Sequence, residues 1–242
     1  MHNYVNDYIA EHNTIHFETF VEKYRRIEVL KFMNRYPHRT ILDVGCGLQF
    51  YFTDLNEASF DKYIVIEKEK RFVDEAQRNI YDYGNIIVEH TELENWNSEG
   101  QKFDLIILSS VLHLVHNIDI FLSKIHTICN RNTKIHINVP NSKSLHKILG
   151  SCMGLELNSD YDIMFDHQFH FDKKLLQRHL QDNGFQIITS GSYLIKPFSD
   201  TQMTCLVDSK IVDGLNNMAS ILPNYGCEIF VEAKINEMCK MS

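Results

Sequence analysis

Between Thr40 and Asn141 the chain alternates short apolar runs with helical segments, and this alternation constrains the fold more than any other feature. The runs are "TILDV" (40–44), "KYIVIE" (62–67), "NIIVEH" (85–90), "FDLIILSS" (103–110) and "TKIHINVPN" (133–141). Strands this continuously apolar are buried on both faces, which calls for a mostly parallel sheet with helices packed on each side. The chain after the first strand's glycines can turn into a helix, "KEKRFVDEAQRNIYDYG" reads as a helix stopping at Gly84, and "IDIFLSKIHTIC" as another. Apolar residues at Phe17, Phe20, Val21, Tyr24, Ile27, Leu30 and Phe32/Met33 predict a helix before the first strand.

Beyond Pro140 the pattern predicts a helix over Asp172–Phe185 with an acidic N-cap and a glycine stop. Two late strands follow, "QIITSGSYLI" and "CEIFVEAKI", with a helix at 208–222 between them. No repeat or Pro/Gly-rich linker divides the 242 residues, so one α/β domain is expected. Its parts are a helical extension over 1–38, a ligand-binding core over 39–196 and a helical insertion over 197–225.

A net charge of -8 argues against a large nucleic-acid surface. The basic cluster "EKYRR" (22–26) reads as a solvated helix face. The longest apolar run, "LIILSSVLHLV", is too short to span a bilayer, and the N-terminus lacks a signal-peptide pattern, so no membrane insertion and a cytoplasmic location are expected. Six scattered cysteines, without C-x-x-C, read as reduced thiols rather than metal ligands.

In an open α/β sheet, ligands bind beyond the carboxyl ends of the strands where strand order reverses. "DVGCG" (43–47) stands at such an end. A dinucleotide fingerprint wants a small third residue for helix–strand packing, but Phe50 occupies that position. Asp43, two residues before the first glycine, suits a cationic ligand better than a pyrophosphate. Glu67 closes the second strand 24 positions after Asp43 and can accept from both hydroxyls of an adenosine ribose. A ligand with a ribose, positive charge and no phosphate is S-adenosylmethionine.

"ILDVGCG", "YIVIEKE" and "FDLIILSSVLHLV" resemble, in order and spacing, the successive motifs of class I S-adenosylmethionine-dependent methyltransferases. "INVPNSKSLHKILG", "DHQFHFDKKLLQRHLQDNGF" and "GSYLIKPFSD" extend the likeness to small-molecule methyltransferases of bacterial surface-polysaccharide biosynthesis. The resemblance covers most of 39–200. It implies a Rossmann-like seven-stranded sheet, mostly parallel with the last strand antiparallel and helices on both faces. It also implies that Asp43, Gly45 and Gly47 hold the methionine end of the cofactor and Glu67 the ribose. Thr91 and Glu92, with His90, would lie along the adenine, and Ser109 and Ser110 under the sulfonium. Gln49 replaces a glycine common in the family loop. Where many relatives read Leu-Glu-His, this chain has Leu112-His113-Leu114, a shift of about 100° on a helix.

Methyl transfer requires alignment of the acceptor, exclusion of water and, for a hydroxyl, removal of a proton. Histidine suits the last task, and His113, His116, His136, His146, His167 and His170 all fall in regions able to face an acceptor. His167 is the expected base and His113 the second candidate, with Asp166 and Asp172 as residues able to orient an imidazole. His136 alternates with apolar neighbours and reads equally as structural. Lys143, Lys147 and Lys196 would suit a phosphate- or carboxylate-bearing acceptor. No metal is expected. The reading is O-methylation of a small, sugar-linked acceptor by a monomer or homodimer, with S-adenosylhomocysteine as product. N- or C-methylation, a non-catalytic binding protein and a nicotinamide-dependent oxidoreductase are the alternatives.

Overall fold

The computed structural model describes residues 17–80, 83–155, 168–204 and 208–236. Seven strands form one sheet: β1 (Thr40–Val44), β2 (Lys62–Glu67), β3 (Ile86–His90), β4 (Phe103–Ser109), β5 (Cys129–Pro140), β6 (Phe185–Ile195) and β7 (Gly226–Ile235). Their order is β3-β2-β1-β4-β5-β7-β6, with β7 antiparallel to both neighbours and the rest parallel. The doubly wound, mostly parallel sheet with an antiparallel last strand is therefore present.

Helices α1 (Glu18–Arg35), α2 (Lys70–Asn79), α3 (Ile118–Ile128), α4 (Leu145–Cys152), α5 (Lys173–Asp182), α6 (Asp200–Thr204) and α7 (Ser209–Ile221) surround it. Alternation along β1 explains the two cores. Leu42 and Val44 join one buried cluster with Ile64, Ile66, Ile106 and Leu108, while Ile41 joins another with Tyr63, Val65, Leu105 and Ile107. Asp43, fully buried, lies in the strand between them. Helix ends follow the sequence chemistry: Asp172 accepts from the Leu175 amide, 2.9 Å away, and Gly184 (φ +81°) follows the end of α5.

Three expectations are corrected. No α-helix follows the glycine loop. Two 3-10 turns, Tyr51–Asp54 and Glu57–Ser59, take its place, and the Tyr51 and Phe52 rings are buried there. α2 ends at Asn79 rather than at Gly84. The basic cluster on α1 is not a solvated face, because Arg25 and Glu22 are buried. α1 packs Phe17, Val21 and Tyr24 against Tyr193, Leu194 and Cys227 of β6 and β7, and Arg25 is bonded to Glu228 of β7. A charged side chain enters an interior when a partner waits there, a fact the spacing of α1 does not carry.

Residues 197–225 hold α6 and α7 between β6 and β7. The apolar residues of α7 are only partly covered: Val212 is buried, whereas Ile211, Met218 and Ile221 are exposed. Among the described residues, no helix is long and apolar enough to cross a membrane. Cys46, Cys129, Cys152 and Cys227 are free thiols.

Candidate active site

Strand order reverses between β1 and β4, and a cavity of about 540 Å³ opens there. Its volume is in the range that holds a small molecule. One half is walled by the carboxyl ends of β1, β2, β3 and β4, through Gly45, Gly47, Glu67, Thr91, Glu92 and Ser109. The other half is walled by α1 and the β5–β7–β6 side of the sheet, through Glu18, Arg25, Asn141, Lys196, Asp200 and Glu228. His113, His116 and His146 also line it.

The glycine loop is shaped by close approach. The Gly45 amide donates to the Ile66 carbonyl, 2.7 Å away. Its φ is +71°, and a Cβ there would meet Val111 Cγ2 at 2.4 Å. Gly47 (φ +50°) has open space where a Cβ would project. Its amide donates to Glu67 Oε2 at 3.1 Å, while Glu67 Oε1 accepts from the Glu69 amide at 2.9 Å. Oε2 also has the Cys46 thiol at 3.9 Å, a weak donor that a ribose hydroxyl can displace, so Glu67 can still accept from a pair of hydroxyls. Burial raises the Glu67 pKa, partly offset by these amides.

Asp43 is not part of the cavity wall. It is fully buried behind the loop, where Tyr63 Oη donates to Oδ2 at 2.9 Å. Oδ1 has no hydrogen-bond partner among the described residues. Burial pushes its carboxyl up to about 7; the Tyr63 hydroxyl opposes the rise and the neighbouring Glu67 adds to it. A carboxyl held so high gains from a nearby cation. The orphaned Asp43 oxygen, the open side of Gly47 and the lone pairs of Glu67 fit a cationic ligand that carries a ribose.

Ser109 Oγ is 2.7 Å from Tyr51 Oη, a contact that the sequence offered no sign of. Ser110 adopts φ +58°, uncommon outside glycine, and its amide donates to the Asn138 carbonyl at 3.0 Å. His113 lies in a 3-10 turn, Leu112–Leu114, rather than on an α-helix. Its ring is buried in the cavity wall, and its carbonyl accepts from the Gln168 amide at 2.9 Å. His167, the first-choice base, lies outside the described residues, as does Asp166.

Other candidates have different duties. His136 lies away from the cavity, between the Phe32 and Phe230 rings at 5.3 and 5.9 Å. His170 is exposed. Asp172 caps α5 and pairs with Lys143. Lys196 is buried and held by both oxygens of Asp200, at 2.7 and 2.8 Å. Lys147 lines the cavity. Among the described residues, no cluster of His, Cys, Asp and Glu could hold a metal ion.

The second half of the cavity contains charges that sequence reasoning missed. Glu228 accepts from Arg25, from the Tyr193 hydroxyl and from Asn138 Nδ2, the last at 2.9 Å. Glu18, in the first turn of α1, is 3.7 Å from the Arg25 guanidinium. Nothing in "HFETF" marks Glu18 as a cavity residue, and only the tertiary position of α1 turns it inward.

The family model for the methyltransferase domain matches residues 18–190. The chain belongs to this family. Among solved structures, this methyltransferase-domain chain is similar to a protein of Thermotoga maritima described as an S-adenosylmethionine-dependent methyltransferase and possible histamine N-methyltransferase. That match has a TM-score of 0.63 at 12% identity and covers 95% of each chain. The N-methyltransferase NodS of Bradyrhizobium japonicum, in complex with S-adenosyl-L-homocysteine, matches with TM-score 0.58, 11% identity and 89% and 87% coverage. The magnesium protoporphyrin IX methyltransferase of Synechocystis, also with bound S-adenosyl-L-homocysteine, gives 0.58 and 15% with 92% and 84% coverage. At these identities the likeness is one of fold. A curated relative, the polyketide synthase–nonribosomal peptide synthetase ffsA of Aspergillus flavipes, is 26% identical over 127 residues; the match covers 48% of this chain and 3% of that protein.

Proposed function

We propose that the chain transfers a methyl group from S-adenosylmethionine to a hydroxyl of a small, sugar-linked acceptor of a surface-glycan pathway. The observation that carries the transfer reading is a single cavity joining two unlike halves. One is a glycine loop backed by Asp43 and Glu67; the other is a polar wall built by α1, β5, β7 and the end of β6. The cofactor supplies a methyl group already activated by a sulfonium.

The chain's own residues do the rest. Asp43, Gly45 and Gly47 hold the methionine end, and Asp43 supplies the negative charge from behind the loop. Glu67 takes the ribose hydroxyls. Thr91 and Glu92 flank the base, and Ser109 is held by Tyr51 under the reacting carbon. His113 lines the junction of the two halves and orients the acceptor, and His167, the base that the motifs suggest, is the alternative to a carboxyl of the acceptor half. The apolar residues Val111, Leu114 and Phe121 help keep water from the junction. The sugar-linked acceptor rests on the resemblance of the motifs at 136–200. Of the three lysines that suggested an anionic acceptor, Lys143 and Lys196 have carboxylate partners, and Lys147 lines the cavity.

An amine acceptor is the second reading, favoured by the three carboxyl groups of Glu18, Asp200 and Glu228 on the acceptor half. The test is calorimetric titration with S-adenosylhomocysteine, alongside Asp43→Ala and an NAD control. Micromolar binding weakened severely in Asp43→Ala, with no binding of NAD, supports the reading. Absence of binding by folded protein at millimolar ligand refutes it. An acceptor screen with methyl glucuronoside, glucose 1-phosphate and simple amines then separates oxygen from nitrogen.

A further inference from the structure

We propose that Glu18 takes the proton from the acceptor hydroxyl during methyl transfer, an inference that rests on the methyltransferase reading above. The N-terminal helix would then supply a reacting group and not only a cover for the sheet.

The geometry singles out this side chain among the acids of the acceptor half. Glu228 is saturated by Arg25, Tyr193 and Asn138. Asp200 spends both oxygens on Lys196. Glu18 lines the same cavity and makes no hydrogen bond to another described residue. Its nearest cation among the described residues, Arg25, stands off at 3.7 Å and is itself committed to Glu228. A carboxyl placed this way presents its oxygens to whatever enters the cavity. The position at the start of α1 favours its ionised form through the helix dipole, but only modestly.

Four charges face Glu18. Arg25 on α1 and Lys196 after β6 lower its pKa; Asp200 on α6 and Glu228 on β7 raise it. Burial outweighs them all and brings the carboxyl to about 8. Its side chain is 23% exposed and lines the cavity. A base whose pKa lies near the working pH combines a useful ionised fraction with a strong pull on the proton.

The step balances without a further reactant. The acceptor oxygen forms its bond to the methyl carbon as the carbon–sulfur bond breaks, and the bond's electron pair returns to sulfur as a neutral thioether. The hydroxyl proton passes to the Glu18 carboxylate, which releases it to solvent after product leaves.

The experiment uses full-length protein, S-adenosylmethionine, and methyl glucuronoside, glucose 1-phosphate and catechol as hydroxyl probes. Wild type and Glu18→Gln should bind S-adenosylhomocysteine within about twofold of each other, while the variant's kcat falls by on the order of 10²-fold or more. The wild-type rate should rise as the pH passes through about 8, and the variant should lack that rise. Formate should restore part of the rate to Glu18→Ala, a rescue that a purely structural role would not give and that covers the case of a poorly folded Gln variant. Isotope-edited infrared spectra should show a carboxyl band, absent from Glu18→Gln, that titrates near pH 8 without any acceptor present.

An unchanged rate or pH profile in Glu18→Gln overturns the proposal. So does failure of formate rescue, absence of that titration, or absence of transfer to every hydroxyl probe by wild type that binds S-adenosylhomocysteine. Failure of wild type to bind S-adenosylhomocysteine overturns the methyltransferase reading instead, so the two failures are distinct.

Discussion

Glu67 and Gly47 are joined by a hydrogen bond from the Gly47 amide to Glu67 Oε2, 3.1 Å long, so the ribose-side carboxylate also holds the glycine loop. Its other oxygen holds the Glu69 amide. Glu67→Gln would turn an amide NH₂ toward one of these donors and leave it unsatisfied, at a cost of about 1–3 kcal/mol. Calorimetry should then show S-adenosylhomocysteine affinity down by about tenfold or more, together with a lowered melting temperature.

The two loop glycines should respond differently to alanine. At Gly45 the added methyl meets Val111 at 2.4 Å and the backbone is left-handed, so Gly45→Ala combines about 1–2 kcal/mol of backbone strain with about 1–3 kcal/mol of overpacking. At Gly47 nothing lies within 4 Å, and Gly47→Ala should cost only the backbone strain, about 1–2 kcal/mol. Urea unfolding of both variants checks the ranking. A larger loss in Gly47→Ala would mean the Val111 contact does not set the loop.

That contrast shows what the sequence could and could not reveal. The strands were legible because buried parallel strands are continuous apolar runs, and the glycine loop because two glycines after such a run have few other uses. Gly45 and Gly47 looked alike, since the neighbour that separates them, Val111, comes from a loop more than sixty residues away in sequence. Asp43 was found, but its burial was not, because the burial comes from the partners of β1 rather than from its own neighbours. Glu228 carries no local pattern, and neither the basic cluster around Arg25 nor the motif around Lys196 shows that each is buried beside a carboxylate. Each is read correctly only once β7 inserts between β5 and β6 and α1 lies across it.

Cofactor affinity should rise with pH through about 7, the value to which burial lifts Asp43. The α-ammonium group, which S-adenosylhomocysteine keeps, favours the ionised carboxyl, so below that pH binding must first expel a proton. Titrations of S-adenosylhomocysteine in buffers of different ionisation enthalpy should show proton release on binding near pH 7. Asp43→Asn should show weaker binding and no such release.

Arg25 and Glu228 form a buried ion pair between α1 and β7. Removing one partner strands the other charge, so Arg25→Met should lose about 3–5 kcal/mol of stability. The loss in an Arg25→Met/Glu228→Gln double variant should be smaller than the sum of the single losses, with a coupling of about 0.5–3 kcal/mol. Chemical denaturation of the three variants measures this. Additive losses would show that the two side chains do not act as a pair.

His136 should make the fold sensitive to acid. Its ring is fully enclosed between Phe32 and Phe230, and burial lowers its pKa from 6.5 to about 3, with Asn138 opposing and Arg35 adding to the shift. The sign follows from proton counts. Between about pH 6.5 and 3 the unfolded chain binds a proton at this position and the folded chain does not. Stability is therefore intact above that window and declines as pH falls through it, by up to about 1.4 kcal/mol per unit. His136→Phe keeps an aromatic ring against Phe32 and Phe230 and removes the titrating group. Its unfolding free energy should stay close to that of wild type at pH 7.5, and the gap between them should widen in the variant's favour toward pH 5. Parallel curves for the two proteins across that range would mean that the imidazole takes its proton in the folded state, and that some other group sets the acid limit.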